Sequence, residues 1–161
     1  MGNLPGLLIL NNHKENRMTN IAPDAIADGL EGMKNVQVKI YDTAYSHGWY
    51  AEERSFGDRI ALCHSELSEA LEAFRDGDDM TQIRYLHTPN CGYFGQYTHG
   101  TDPLGACRCE PKPDGIAVEL ADTIIRILDM AEAESIPVLD AIRVKMAFND
   151  TRPFRHGGKA L

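Results

Sequence analysis

The stretch Ile60-Ala61-Leu62-Cys63-His64-Ser65-Glu66-Leu67-Ser68-Glu69-Ala70-Leu71-Glu72-Ala73-Phe74 decides the fold class of this chain. Stepping about 100° per residue places Ile60, Cys63, Leu67, Ala70, Leu71 and Phe74 on one apolar face, the signature of an amphipathic helix. His64, Ser65, Ser68 and Glu72 fall on the opposite, solvated side. Glu66 and Glu69 do neither cleanly: they sit at the edge of the apolar face, with Leu62 and Ala73 between them. Upstream, Ser55 is a plausible N-cap, and Asp58 three positions on resembles a capping box with a shorter acid. Downstream, Asp76-Gly77-Asp78-Asp79 is a stop signal, so the helix is predicted to end near Arg75.

Working outward, a helix is predicted from Pro23-Asp24 to about His47, with Ile26, Leu30, Met33, Val36, Ile40 and Ala44 near a 3–4 residue period. His47-Gly48-Trp49-Tyr50 then breaks the pattern. Thr88 to Gly115 holds five Gly, four Pro and three Cys, which reads as a long irregular loop. A third helix is predicted from about Ile116 to Glu134. Ser135-Ile136-Pro137 separates it from a fourth, because proline is tolerated in a first turn. That helix ends near Asn149, before Arg152-Pro153. No segment alternates convincingly as a strand. The expected fold class is all-α: a four-helix-type bundle with a long irregular insertion, about 78–115, between the two carboxylate-bearing helices.

Residues 1–22 read as a flexible leader or arm ahead of one domain over 23–161. The Leu4 to Leu10 run lacks a preceding basic region and reads poorly as a signal peptide, and Met18 is an alternative start. The chain has 161 residues, 43% hydrophobic and 25% charged, with a net charge of −8. That balance disfavours a nucleic-acid polymer as partner, since such binders carry a basic stripe. An acidic protein can still bind a triphosphate if divalent cations lie between the two sets of negative charge. No stretch approaches the roughly 20 apolar residues a bilayer span needs, so no membrane partner is expected. Four cysteines (Cys63, Cys91, Cys107, Cys109) do not resemble a disulfide framework, and a cytoplasmic location is the default.

Two carboxylates at i, i+3 point the same way and can share one cation, which would explain partial burial of Glu66 and Glu69. Glu119-Leu120-Ala121-Asp122 repeats the spacing on the third helix. There an ordinary solvated face is an adequate account, because Glu119 and Asp122 share a polar sector with Thr123, Arg126 and Asp129. Two such pairs on facing helices are more telling, since bundle cores are a place to build carboxylate metal sites. Oxygen-only ligands suit Mg²⁺, with Mn²⁺ a possible substitute, rather than zinc. A remaining carboxylate, Glu69 or Glu72, could take the proton of an attacking water.

These residues resemble the MazG-like superfamily of all-α nucleoside triphosphate pyrophosphohydrolases, which also includes dimeric dUTPases. The resemblance covers about residues 41 to 160. It is carried by His47-Gly48-Trp49, by Phe56-Gly57 through Ala73, by Val118-Glu119-Leu120-Ala121-Asp122, and by the segment from Lys145 through Asn149 and Arg152 to Lys159. It implies a magnesium site held by Glu66, Glu69, Glu119 and Asp122, which are thereby the catalytic set. It implies hydrolysis between the α and β phosphates, releasing nucleoside monophosphate and pyrophosphate. A homodimer or dimer of dimers is implied as well. Lys145 and Asn149, one helical turn apart, would present a cation and an amide to the phosphates, and Arg152 could add a bidentate contact. A solvated helix end with a basic tail is the alternative for that segment. Trp49 either stacks on the nucleobase or packs the end of the first helix. Many relatives carry a further Glu where this chain has Ser65, and the gap between Glu69 and Glu119 is longer than usual in the family.

In the insertion, His87, Cys91, His99, Cys107 and Cys109 lie close in sequence, and a structural zinc is conceivable. The spacing lacks a paired Cys-x-x-Cys, so free thiols and surface histidines are the preferred reading. The functional expectation is Mg²⁺-dependent hydrolysis of a nucleoside or deoxynucleoside triphosphate. The neighbouring enzyme class is a phosphoribosyl-ATP or dinucleotide pyrophosphohydrolase. The alternative of a different kind is a catalytically silent, nucleotide-binding helical oligomer acting as a sensor or scaffold.

Overall fold

A computed structural model describes residues 23–87, 96–98 and 110–153. The expected all-α architecture is observed, with four helices among the described residues: α1 (Pro23–Ser46), α2 (Phe56–Arg75), α3 (Ile116–Ala133) and α4 (Val138–Asp150). The chain divides into two compact units, one formed by residues 35–138 and the other by 1–34 with 139–161. All of α2 and α3 belongs to the first unit, as does the C-terminal half of α1 from Asn35. No helix among the described residues is long and apolar enough to cross a membrane.

Helix α2 begins as its sequence predicts. The Ser55 side chain accepts from the Asp58 backbone N–H at 3.2 Å, and the Ser55 N–H donates to Asp58 Oδ2 at 3.2 Å. Two otherwise orphaned backbone donors are thereby satisfied. The helix stops where Gly77 takes φ +89°, a conformation glycine adopts without the clash a Cβ would bring.

The core of the first unit lies between α2 and α3, where Cys63, Ala70, Ile116, Leu128, Met130 and Ala131 are buried. Arg59 reaches Glu134 at 3.5 Å, Glu66 binds Arg126, and Glu69 meets Glu119. These pairs run in opposite sequence order, so the two helices are antiparallel. The apolar face predicted for α2 is only partly buried. Cys63 and Ala70 face the core, but Ile60, Leu67, Leu71 and Phe74 are exposed, and Glu66 takes a core position instead. Periodicity identifies a face suited to burial without saying which part of it meets α3.

On α1 the stripe of lower exposure includes Gln37 where the period suggested Val36, which is exposed. The Gln37 amide donates to Glu132 of α3 at 2.6 Å, which makes burial of a polar side chain tolerable.

The insertion departs from the irregular loop expected. It contains a three-stranded antiparallel sheet in the order β2-β1-β3, from β1 (Arg84–Leu86), β2 (Gln96–Thr98) and β3 (Lys112–Asp114). Strands of three residues are too short to display alternation, which is why they escaped detection. Pro113 fits β3 because that strand is an edge, where a missing N–H need not break a ladder. Arg84 ties the sheet down by pairing with Asp78, just past α2, and with Asp114 at 2.6 Å, just before α3. Cys91, His99, Cys107 and Cys109 of the zinc alternative lie outside the described residues, as do the leader and Met18.

Candidate metal centre

Glu119 owes its place to the way α3 starts. Gly115, at φ +111°, is the N-cap, and its carbonyl accepts from the N–H groups of Val118 (2.8 Å) and Glu119 (3.1 Å). This puts Glu119 in the first turn, directly after the sheet anchor at Asp114 and opposite the second half of α2. There one carboxylate oxygen from each of Glu66, Glu69 and Glu119 falls within 4.8 Å of the others. Glu66 is buried at 5% exposure, Glu119 is half-buried and Glu69 is exposed. The expectation that both α2 carboxylates would be partly buried thus holds for Glu66 and not for Glu69.

The electrostatics of the cluster are those of crowded acids. Burial, followed by the charges of Glu69, Asp122 and Glu66, raises the pKa of Glu119. Asp122 is raised by burial and then by Glu66, with Arg126 and Lys112 opposing. Like charges at this spacing disfavour joint ionisation unless a cation intervenes. The donor set, carboxylate oxygens alone, is the type that hard divalent cations take.

Asp122 stands outside the group of three and turns to a neighbouring cavity of about 520 Å³, within the usual range for small-molecule sites. Lys39, Ile40, Thr43 and Ala44 of α1, His47 and Trp49 of the following turn, and Asp122, Ile125, Arg126 and Asp129 of α3 form its walls. Trp49 is half-exposed, and the guanidinium groups of Arg54 and Arg126 lie 5.7 and 6.0 Å from its ring centroid. The His47 ring stays close to α1, with Nδ1 2.8 Å from the Thr43 carbonyl oxygen.

Arg126 connects cluster and cavity. Its Nε donates to Glu66 Oε1 at 2.7 Å, and Nη2 lies 2.6 Å from the same oxygen as an ion pair. Sequence reasoning placed Arg126 in the polar sector of Glu119 and Asp122 but gave it no role. Its spacing was the available signal, since positions 119, 122 and 126 form an i, i+3, i+7 stripe on one helix face. Ser65, read as solvated, is half-buried and donates to the Leu62 carbonyl at 2.9 Å. Glu72, the other candidate base, is exposed and outside the group of three.

Beneath Trp49, the Tyr50 hydroxyl accepts from Arg59 Nη1 at 3.2 Å, and its pKa is pushed up to about 12, chiefly by burial and then by Asp129. Asp129 is itself raised by burial, and Tyr50, Arg59 and Asp129 are all half-buried. Lys145, Asn149 and Arg152 belong to the other unit. There Lys145 and Arg152 both approach the Phe148 ring, at 5.0 and 5.7 Å. Comparison of the chain with protein-family models, curated proteins and solved structures found no match.

Proposed function

We propose that this chain hydrolyses a nucleoside or deoxynucleoside triphosphate to the monophosphate and pyrophosphate, using Mg²⁺ with Mn²⁺ as a possible substitute. One observation carries the reading: carboxylates from two antiparallel helices converge beside a cavity that offers an aromatic ring and cations. Glu66, Glu69 and Glu119 would hold the metal, and the sequence resemblance adds Asp122. A bound divalent cation screens the phosphate charge and lowers the pKa of the attacking water.

The chain's own side chains supply the rest. Trp49 presents its exposed ring to a base, and Lys39 and Arg126 face the negative charge of the phosphates from the cavity wall. Glu69, the solvent-facing carboxylate of the three, is placed to take a proton from water and pass it to bulk. The water oxygen bonds to the α phosphorus, the bond from that phosphorus to the bridging oxygen breaks, and pyrophosphate leaves with the bridging oxygen. Lys145, Asn149 and Arg152 are carried into the proposal as phosphate ligands by the sequence resemblance alone. A homodimer or dimer of dimers is supported by the exposed stripe Ile60, Leu67, Leu71 and Phe74 on α2.

A silent nucleotide-binding oligomer is favoured by one feature, the neutralisation of Glu66 by Arg126 within the chain itself. Incubating the protein with Mg²⁺ and a nucleotide panel, then measuring pyrophosphate with and without chelator, separates the two. Chelator-sensitive pyrophosphate release is expected. Nucleotide binding without release from any nucleotide would replace the enzyme with the silent binder.

A further inference from the structure

Arg126 makes an unusual use of its fork. Guanidinium–carboxylate pairs gain most when two nitrogens bridge two oxygens in parallel. Here the Nε hydrogen bond at 2.7 Å and the Nη2 ion-pair contact at 2.6 Å fall on the same oxygen, Oε1 of Glu66. Glu66 is buried on α2 and would be costly to keep as an unpaired anion, and the paired guanidinium offsets that cost. The same carboxylate also belongs to the cluster with Glu69 and Glu119, where it can serve a metal. A divalent ion and a guanidinium on one carboxylate repel each other, so the two cations compete. The guanidinium has somewhere else to go. Arg126 lines the 520 Å³ cavity together with Lys39 and stands 6.0 Å from the Trp49 ring.

We propose that Arg126 is a resident counter-cation of Glu66 which a divalent metal displaces, and that the released guanidinium then pairs with a phosphate oxygen of the substrate. It acts as a positioning residue that couples metal binding to triphosphate binding. The coupling rests on the metal site proposed above, and two separate titrations keep the claims apart.

Mn²⁺ binding is followed by the free-ion electron paramagnetic resonance signal, without nucleotide, for the wild-type protein, Arg126→Gln and Arg126→Lys. Affinity for a non-hydrolysable nucleoside triphosphate is then measured by calorimetry at saturating Mn²⁺. Arg126→Gln is expected to bind Mn²⁺ about tenfold more tightly than wild type, equivalent to about 1.4 kcal/mol. It is also expected to bind the triphosphate about tenfold more weakly. Arg126→Lys keeps the charge and loses the fork, so it should fall between the two in both titrations. An arginine with a merely structural role would not move the two affinities in opposite directions. Unchanged or weaker Mn²⁺ binding by Arg126→Gln, with wild type binding normally, overturns the displacement and leaves the metal site standing. Unchanged triphosphate affinity overturns the transfer to phosphate. Absence of Mn²⁺ binding from all three proteins overturns the metal site and the coupling together. Helicity measured by circular dichroism accompanies each variant, and Arg126→Lys alone decides the matter if the glutamine variant does not fold.

Discussion

Replacing Glu119 by Gln removes one charge from a cluster whose ligand oxygens lie within 4.8 Å of one another while leaving the side-chain volume intact. Two unit charges at that separation repel by about 3.5 kcal/mol at an effective dielectric of 20 and by about 0.9 kcal/mol in water. Glu69 is exposed and Glu66 is neutralised by Arg126, so the water-like end of that range applies. The variant should therefore gain about 1 kcal/mol without metal, which for a chain of this size raises Tm by about 2–4 °C. Mg²⁺ reverses the order. A ligand at a hundredfold excess over its Kd stabilises the wild-type protein by about 2.7 kcal/mol, and a variant short of one ligand loses most of that increment. The assay is thermal unfolding by circular dichroism at pH 8, in chelator and in Mg²⁺. A Glu119→Gln protein that melts below wild type in chelator, yet gains the full Mg²⁺ increment, would refute the reasoning.

The raised pKa values of Glu119, Asp122 and Asp129 mean that the folded state holds protons more tightly than the unfolded chain. Their contribution is present below the ordinary carboxylate range and is lost as pH rises through the raised values. Tm in chelator should increase on acidification from pH 8 to the ordinary carboxylate range, whereas in Mg²⁺ the trend should reverse because protons then compete with the metal. Trp49→Ala should weaken nucleotide affinity about tenfold with helicity unchanged, measured by calorimetry, if its exposed ring stacks on the base. Leu71→Asp, on the exposed stripe of α2, should convert an oligomer to monomer in light scattering without loss of helicity, since Leu71 is exposed within its own unit.

Helix positions were legible because their signals are local. Ser55 and Asp58 cap α2 through bonds within four residues, and Gly77 ends it through its own backbone. What the sequence could not convey was which neighbours share a face. The apolar stripe of α2 gave no means to separate Cys63 and Ala70, which are buried, from Leu67 and Phe74, which are exposed. Glu66 and Glu69 looked alike at the edge of that stripe, and only the approach of α3 makes one buried and the other exposed. The pairing of Arg126 with Glu66 spans sixty positions and follows from antiparallel packing, which no periodicity encodes. The sheet escaped detection because a three-residue strand is defined by its partners, and those of β1 lie about ten and thirty positions away in β2 and β3.

The central claim is that triphosphate is cleaved at its α phosphorus by a metal held on these carboxylates. Phosphorus nuclear magnetic resonance of a nucleoside triphosphate incubated with the protein and Mg²⁺ reads that step directly. Pyrophosphate and monophosphate signals should grow together, and both should be lost in chelator and in Glu69→Gln. Nucleoside diphosphate with orthophosphate, or equal turnover by Glu69→Gln, would contradict the central claim.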